Sequence, residues 1–382
     1  MRRLPLFIFW CLWFINFSTR TAFSPILPLM EDNLSLSHGE VGSFFTSLSI
    51  GYGIALLIAG RFASIWGYKR MVVTGFLCPA LVFIAFQWVE SYFALHILFF
   101  LLGITTGTYL PSIIPIITET YEYRHWGKAI GIHDSATSFS IFAIPILVAF
   151  GLHFFTWKML LLFLGIASMI LPIPFWTVSI EPKQETSRQE SHYVDLLKRK
   201  SVWIMSLISI FAALSSGVYY ILPLYLIKER GIDFSFANTL FGISRVGGVF
   251  VSVFIGILID RYGYRTMLKL SIVMSGLSTI ALSLSSTLPL IIITLILQAT
   301  FSVAFFPVGF VTISKLTSLS ERSMATGVII FFGIISGTGV TPFLLGFIAD
   351  HFNFKVGILG LGVLTTFASL LVRFLKETEE KG

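Results

Sequence analysis

Gly256-Ile-Leu-Ile-Asp260-Arg261-Tyr-Gly263-Tyr-Arg265 is a short charged hairpin set between two apolar stretches. Upstream, residues 236–259 carry one charged residue, Arg245; downstream, residues 266–284 carry only Lys269. The glycines permit a tight turn and close helix approach. Asp260 suits a helix N-terminus, and the arginines suit anionic headgroups at a membrane surface. The pattern also stands 196 residues earlier, as Gly60-Arg61-Phe-Ala-Ser64-Ile65-Trp-Gly67-Tyr-Lys69-Arg70. That copy keeps both glycines and the basic end, with Ser64 and Ile65 where the later copy has its Asp-Arg pair.

The repeat extends in both directions from the hairpin. Ile26-Leu27-Pro28-Leu29 recurs as Ile221-Leu222-Pro223-Leu224 after 195 residues, Gly131 as Gly327 after 196, and Trp157-Lys158 as Phe354-Lys355 after 197. Ordered matches at a nearly constant offset predict a duplicated chain, its halves in parallel repeat about an axis along the membrane normal.

Composition requires the membrane. Of 382 residues 55% are hydrophobic and 12% charged, with mean hydropathy +0.88; a soluble domain carries roughly 25% charged residues. A spanning helix needs about 20 apolar residues. Twelve runs meet that need: residues 4–30, 41–63, 71–89, 92–117, 129–152, 158–179, 202–227, 236–259, 266–284, 288–314, 325–349 and 356–375. Several exceed the minimum, which predicts tilt or breaks. With the N-terminus in the cytoplasm and residues at run ends assigned to the nearer side, 20 of the 26 Lys and Arg residues fall on the inner side, 4 on the outer side, and 2 deep within runs. This bias follows the positive-inside rule and predicts cytoplasmic termini. It also accounts for the net charge of +7 without a nucleic-acid surface. Cys11 and Cys78 lie within runs and suggest no disulfide framework. The hydrophobic start is expected to belong to the fold and not to a cleaved leader, because the first run has a partner in the seventh. The predicted organisation is an all-α membrane protein of twelve transmembrane helices: one six-helix bundle over residues 1–179, a polar cytoplasmic linker over 180–200, and a second bundle over 201–382.

The hairpin resembles the signature loop of the major facilitator superfamily, and the resemblance covers nearly the whole chain. It implies a secondary transporter of the cell membrane that works by alternating access. It further implies that Gly256, Asp260, Arg261, Gly263 and Arg265, with Gly60, Gly67 and Lys69 in the degraded copy, form a conformational-switch loop. Two features depart from the family's drug–proton antiporters. Phe99 stands where an arginine precedes the span-4 glycine, and Pro145 in span 5 lacks flanking glycines.

Arg20 and Arg245 are the only Lys or Arg residues deep inside the runs; Arg61, Lys158, Lys269 and Arg373 stand within three residues of a run end. A guanidinium in hydrocarbon is costly, about 2.5–3.5 kcal/mol on insertion scales. Arg20 precedes Glu31 by 11 residues and Arg245 follows Asp233 by 12, which puts each roughly 16–18 Å below the outer surface. Their repeat counterparts are Ser215 and Ser49, so neither arginine is an inherited repeat feature. The pair is read as two jaws of an anion site, because a planar fork of donors suits carboxylate or phosphate oxygens. Asn16, Tyr109, Tyr219, Tyr220 and Gln298 are candidate companions in spans 1, 4, 7 and 10, which the resemblance implies line the cavity. Each also suits an interhelical hydrogen bond. Asp134, the one clearly embedded acid, and its neighbour His133 are candidate proton carriers.

The glycine pairs Gly103/Gly107, Gly127/Gly131 and Gly333/Gly337 are read as close helix contacts. No metal-ligand spacing, nucleotide loop or catalytic signature is present, so neither a cofactor nor an enzyme is expected. The function read from these residues is transport of a small organic anion, a carboxylate in preference to other anions, driven by proton symport or anion exchange. The expected partners are that substrate, protons and the bilayer, and the protein is expected to be a monomer. Efflux of amphipathic compounds and a transporter-like membrane sensor are the alternatives.

Overall fold

Backbone groups in hydrocarbon must be satisfied within their own segment, so the apolar runs form helices. The computed structural model describes residues 3–182, 198–317 and 319–375. Most of the expected linker, and the chain after residue 375, lie outside the described residues. In order the helices are α1 Arg3–Thr21, α2 Phe23–Leu34, α3 His38–Trp66, α4 Tyr68–Ala85, α5 Tyr92–Gly107, α6 Tyr109–Thr120, α7 Trp126–Gly151, α8 Trp157–Ile170, α9 Pro172–Val178, α10 Lys200–Leu224, α11 Phe234–Ile243, α12 Val246–Tyr262, α13 Tyr264–Leu284, α14 Leu288–Leu316, α15 Leu319–Ile334, α16 Thr341–His351 and α17 Phe354–Ala368. No strand occurs among the described residues.

Among the described residues, eleven helical segments are long and apolar enough to cross a membrane. The eighth expected span, residues 236–259, is divided: α11 ends before a turn at Ser244 and Arg245, and α12 starts after it. Proline is absent at this break, but Gly247 and Gly248 follow it, and glycine is a weak helix former. Elsewhere prolines lie beside the breaks. Pro25 follows the interruption at Ala22, and Pro111 follows the one at Thr108. Each proline lacks an N–H and crowds the carbonyl four residues back. Beyond Pro223 the backbone widens to a π-helical turn over Tyr225–Glu229, and a second such turn spans Ile335–Val340 before Pro342.

The chain forms two compact units. The first holds the described residues of Met1–Leu36, Phe44–Ser187 and Leu226–Gly242. Its core contains fully buried phenylalanines, among them Phe23, Phe44, Phe86 and Phe99, with Phe23 and Phe99 centroids 4.4 Å apart. Helices α3 and α5 meet backbone to backbone. A Cβ built on Gly51 would overlap the Phe100 carbonyl oxygen, and one on Gly103 would overlap that of Leu48. Gly131 in α7 has nothing within 4 Å, so it serves no such approach, contrary to the expectation for the Gly127/Gly131 pair.

Gly67 turns the chain between α3 and α4 with φ +106°. The Glu181 carboxylate accepts from the N–H groups of Tyr68 (2.6 Å) and Lys69 (3.1 Å), two donors a helix start leaves unsatisfied. Lys69 in turn donates from Nζ to the carbonyls of Trp176 and Ser179. The degraded copy of the hairpin thus keeps its turn and takes a carboxylate from the end of the half. At the other end of this unit, Lys228 pairs with Asp32 and, at 3.4 Å, with Glu31.

The second unit holds the described residues of Ser37–Ser43, Arg188–Tyr225 and Ile243–Gly382. Met205, Ile208, Leu268, Ile272, Val308 and Leu316 are part of its core. Gly263 makes the matching hairpin turn at φ +80°, and Arg265 Nε donates to the Tyr264 hydroxyl. Gly333 and Gly337 do face α10: their Cβ positions fall 2.9 Å from Ser209 Oγ and 2.7 Å from the Ala213 carbonyl oxygen.

Asp350, near the end of α16, accepts from the N–H groups of His38 (2.9 Å) and Gly39 (2.8 Å) at the start of α3. Asp350→Ala is expected to lower stability by about 1–2 kcal/mol, since it removes a charged cap from a helix N-terminus. Thermal unfolding in detergent measures the loss, and Asp350→Asn should recover part of it.

Candidate functional site

In the first unit the site begins with α1. Arg20 lies in its last turn, directly before the interruption at Ala22, and is buried at 8% exposure. Its guanidinium carbon lies 4.2 Å from the ring centroid of Tyr52 on α3 and 4.7 Å from that of Phe17. Ring faces attract the cation without neutralising it. Arg20 makes no ion pair among the described residues, and its Nε has no hydrogen-bond partner there. Four residues back on the same helix face, Asn16 is buried and donates from Nδ2 to the Thr106 carbonyl (3.2 Å). Thr106 lies just before the break at Thr108.

The second unit holds a comparable arrangement. Arg245, at 7% exposure, begins α12 as the residue before its first turn. Its guanidinium carbon lies 4.6 Å from the ring centroid of Tyr219 on α10. Tyr220 stands edge-on to Tyr219 at 5.0 Å and its hydroxyl accepts from Thr338 Oγ1 at 3.4 Å. Gln298 on α14 is fully buried and donates from Nε2 to the Ser215 carbonyl at 2.9 Å.

The two stacked pairs differ in order along the chain. In the first unit the arginine is on α1 and the tyrosine on α3; in the second unit the tyrosine is on α10 and the arginine at the start of α12. Both arginines sit beside a helix discontinuity, where backbone polar groups are freed from their ladder. Broken helices at membrane depth are tolerated where they are buried in protein or line a water-filled cavity.

Tyr109 lies elsewhere in the first unit than Arg20's contacts. It is fully buried, with its hydroxyl 3.0 Å from His133 Nε2 and 3.2 Å from the Phe9 carbonyl oxygen, to which it donates. Trp13 stacks on both rings, at 5.2 Å from Tyr109 and 5.7 Å from His133. The Trp13 indole N–H donates to Asp134 Oδ1 at 3.4 Å. Trp13 therefore links His133 and Asp134, which point to different sides of α7. His133 is buried, whereas Asp134 is exposed.

Tyr52, Phe17 and Trp13 escaped the sequence reading because aromatic residues saturate this chain and none has a distinguishing neighbour. The interruptions beside Arg20 and Thr108 did have a signal in Pro25 and Pro111. Asp260 and Arg261 lie in the last turn of α12, Gly263 makes the turn, and Arg265 lies in the first turn of α13.

Buried cations stacked on aromatic rings in broken apolar helices fit a membrane transporter. The profile of the Major Facilitator Superfamily matches residues 9–254 and 226–382, and the chain belongs to that family. It is an integral multi-pass membrane protein of the cell membrane and a secondary transporter, not an enzyme. A hexuronate transporter of Bacillus subtilis (strain 168) is 24% identical, with 98% of this chain and 95% of that protein covered. A glycerol-3-phosphate transporter of the same organism is 21% identical over 95% of this chain and 89% of its own length. A D-xylose-proton symporter shares the fold at TM-score 0.81 and 16% identity, with 99% of this chain and 98% of that chain covered.

Proposed function

We propose that the protein moves a small organic anion, a carboxylate, by alternating access of two six-helix halves, residues 1–179 and 201–382, with both termini in the cytoplasm. Arg20 and Arg245 supply the positive charge, and Tyr52 and Tyr219 hold the two guanidinium planes. The observation that carries this reading is Arg20 itself: a buried guanidinium that no carboxylate neutralises among the described residues. Such a charge is retained at a cost of several kcal/mol unless a ligand or solvent compensates it. The two curated relatives above are named for anionic solutes, which supports the same class. Gly256, Asp260, Arg261, Gly263 and Arg265, with Gly60, Gly67 and Lys69, serve as switch loops that re-form as the halves rock.

Proton symport offsets the anion's charge, and Asp134, held by Trp13 on the helix that carries Arg20, is the proposed coupling acid. Purified protein in proteoliposomes should accumulate a carboxylate when the lumen is made alkaline. The Asp134→Asn variant should lose the response to the pH gradient while retaining exchange of internal for external carboxylate. An unchanged response would remove Asp134 from coupling. Stabilisation only by neutral or cationic compounds, with no effect of either arginine substitution, would overturn the anion reading.

A further inference from the structure

Around Arg20 the first unit buries three polar atoms that make no hydrogen bond among the described residues: Arg20 Nε, Asn16 Oδ1 and Ser49 Oγ. Asn16 and Arg20 are four residues apart on α1, and Ser49 and Tyr52 three apart on α3, so each pair shares a helix face. Arg20 is in contact with Tyr52. The three residues thus belong to one locality, where Asn16 is 2% and Ser49 0% exposed. Buried polar groups are nearly always paired, and each exception calls for an explanation.

The chemistry of the three atoms is unequal. Arg20 is a donor and suits an anionic oxygen. Asn16 donates one amide N–H to the Thr106 carbonyl, and its oxygen, which can only accept, has no bond. An anionic oxygen cannot bond to that atom; a ligand hydroxyl can. Ser49 Oγ both donates and accepts, so it suits the same hydroxyl or its neighbour. The repeat isolates the feature. Ser215, the counterpart of Arg20, is already bonded to Ser275 Oγ (2.9 Å) and Thr279 Oγ1 (2.7 Å). Ser49, the counterpart of Arg245, has no such partners. Two further buried amide oxygens, Asn238 Oδ1 in the first unit and Gln298 Oε1 in the other, belong to side chains that likewise donate an N–H to a backbone carbonyl.

We infer that Asn16 and Ser49 are specificity-determining residues that read hydroxyl groups, and that the substrate is a polyhydroxylated carboxylate. This rests on the proposal that Arg20 holds the anion, and the test separates the two. Gluconate and hexanoate are six-carbon acids of the same charge that differ in hydroxyl groups. Each is titrated against purified full-length protein by thermal shift and by inhibition of gluconate uptake into proteoliposomes.

The expected result is that gluconate binds at least about 10-fold more tightly than hexanoate, since each lost buried hydrogen bond is worth up to about a factor of ten. Ser49→Ala removes a hydroxyl with no protein partner, so it should leave the unliganded melting temperature unchanged. It should weaken gluconate about 10-fold and hexanoate not at all. Asn16→Ala should narrow the preference further, with its melting temperature reporting any loss of the Thr106 bond. Equal binding of the two acids, abolished by Arg20→Ala but insensitive to Ser49→Ala, overturns the hydroxyl reading and leaves the anion reading standing. Binding of neither acid overturns both.

Discussion

Replacing Arg20 with alanine is expected to abolish measurable carboxylate binding, and replacing Arg245 with alanine to do the same, while the protein still folds. Truncating one partner of a desolvated, hydrogen-bonded charge pair typically costs about 2–5 kcal/mol. At about 1.4 kcal/mol per tenfold, that is a loss of at least about 30-fold and up to several thousandfold. Both arginines are buried, at 8% and 7% exposure, so solvent screens them little. Folding should survive, because alanine removes a cation whose burial is itself costly. The sharper variant is Arg20→Lys. Lysine keeps the charge but lacks the planar face that lies 4.2 Å from the centroid of the Tyr52 ring, and its strongly hydrated ammonium cannot fork onto a carboxylate. Binding should fall by about tenfold or more, and thermal-shift titration of wild type and variants against one carboxylate measures it. A lysine variant with wild-type affinity would show that charge alone matters and that the aromatic stack does not.

The second large effect is on folding. Gly103→Val is expected to prevent stable assembly of the first unit, at a cost of about 3 kcal/mol or more. The new Cβ would overlap the Leu48 carbonyl oxygen, and backbone in a packed helix pair cannot rotate away as a long side chain can. Relief requires separation of α3 from α5, which also moves Tyr52 and so loosens Arg20. Expression, retention as a monodisperse peak and thermal unfolding report the loss. Gly131→Ala provides the contrast. That position lies inside α7 with nothing within 4 Å of its Cβ, and alanine there should stabilise by about 0.5–1 kcal/mol through helix propensity alone. If Gly103→Val folds like wild type, the tight α3–α5 contact is not required.

Much of the architecture was legible because it follows from local chemistry. The apolar runs announce helices, since lipid leaves the backbone no other partner. The Gly67 and Gly263 turns were legible from spacing, and both have positive φ. The division of the span over residues 236–259 was not anticipated at Arg245, although Gly247 and Gly248 stand beside it. Of the candidate site, the charges were legible and their contacts were not. Arg20 and Arg245 stood out because charge in an apolar run is rare. Tyr109 belonged on the same list by residue type and span number, yet its hydroxyl is directed to His133. Helical periodicity gives the face of a residue, whereas the neighbour it meets depends on how the next helix is rotated.

The sequence by itself determined the membrane class, the positions of both arginines and the turns of the two hairpins, because composition and spacing are properties of the chain alone. Only the tertiary structure decided that Tyr52 and Tyr219 hold the guanidinium groups, that Glu181 and Asp350 cap helices distant in sequence, and that Asn16 keeps an amide oxygen without a bond while Ser215 is satisfied. Those are contacts between helices. They depend on rotation and depth of packing, which side chains far apart in the chain fix jointly and no single stretch encodes.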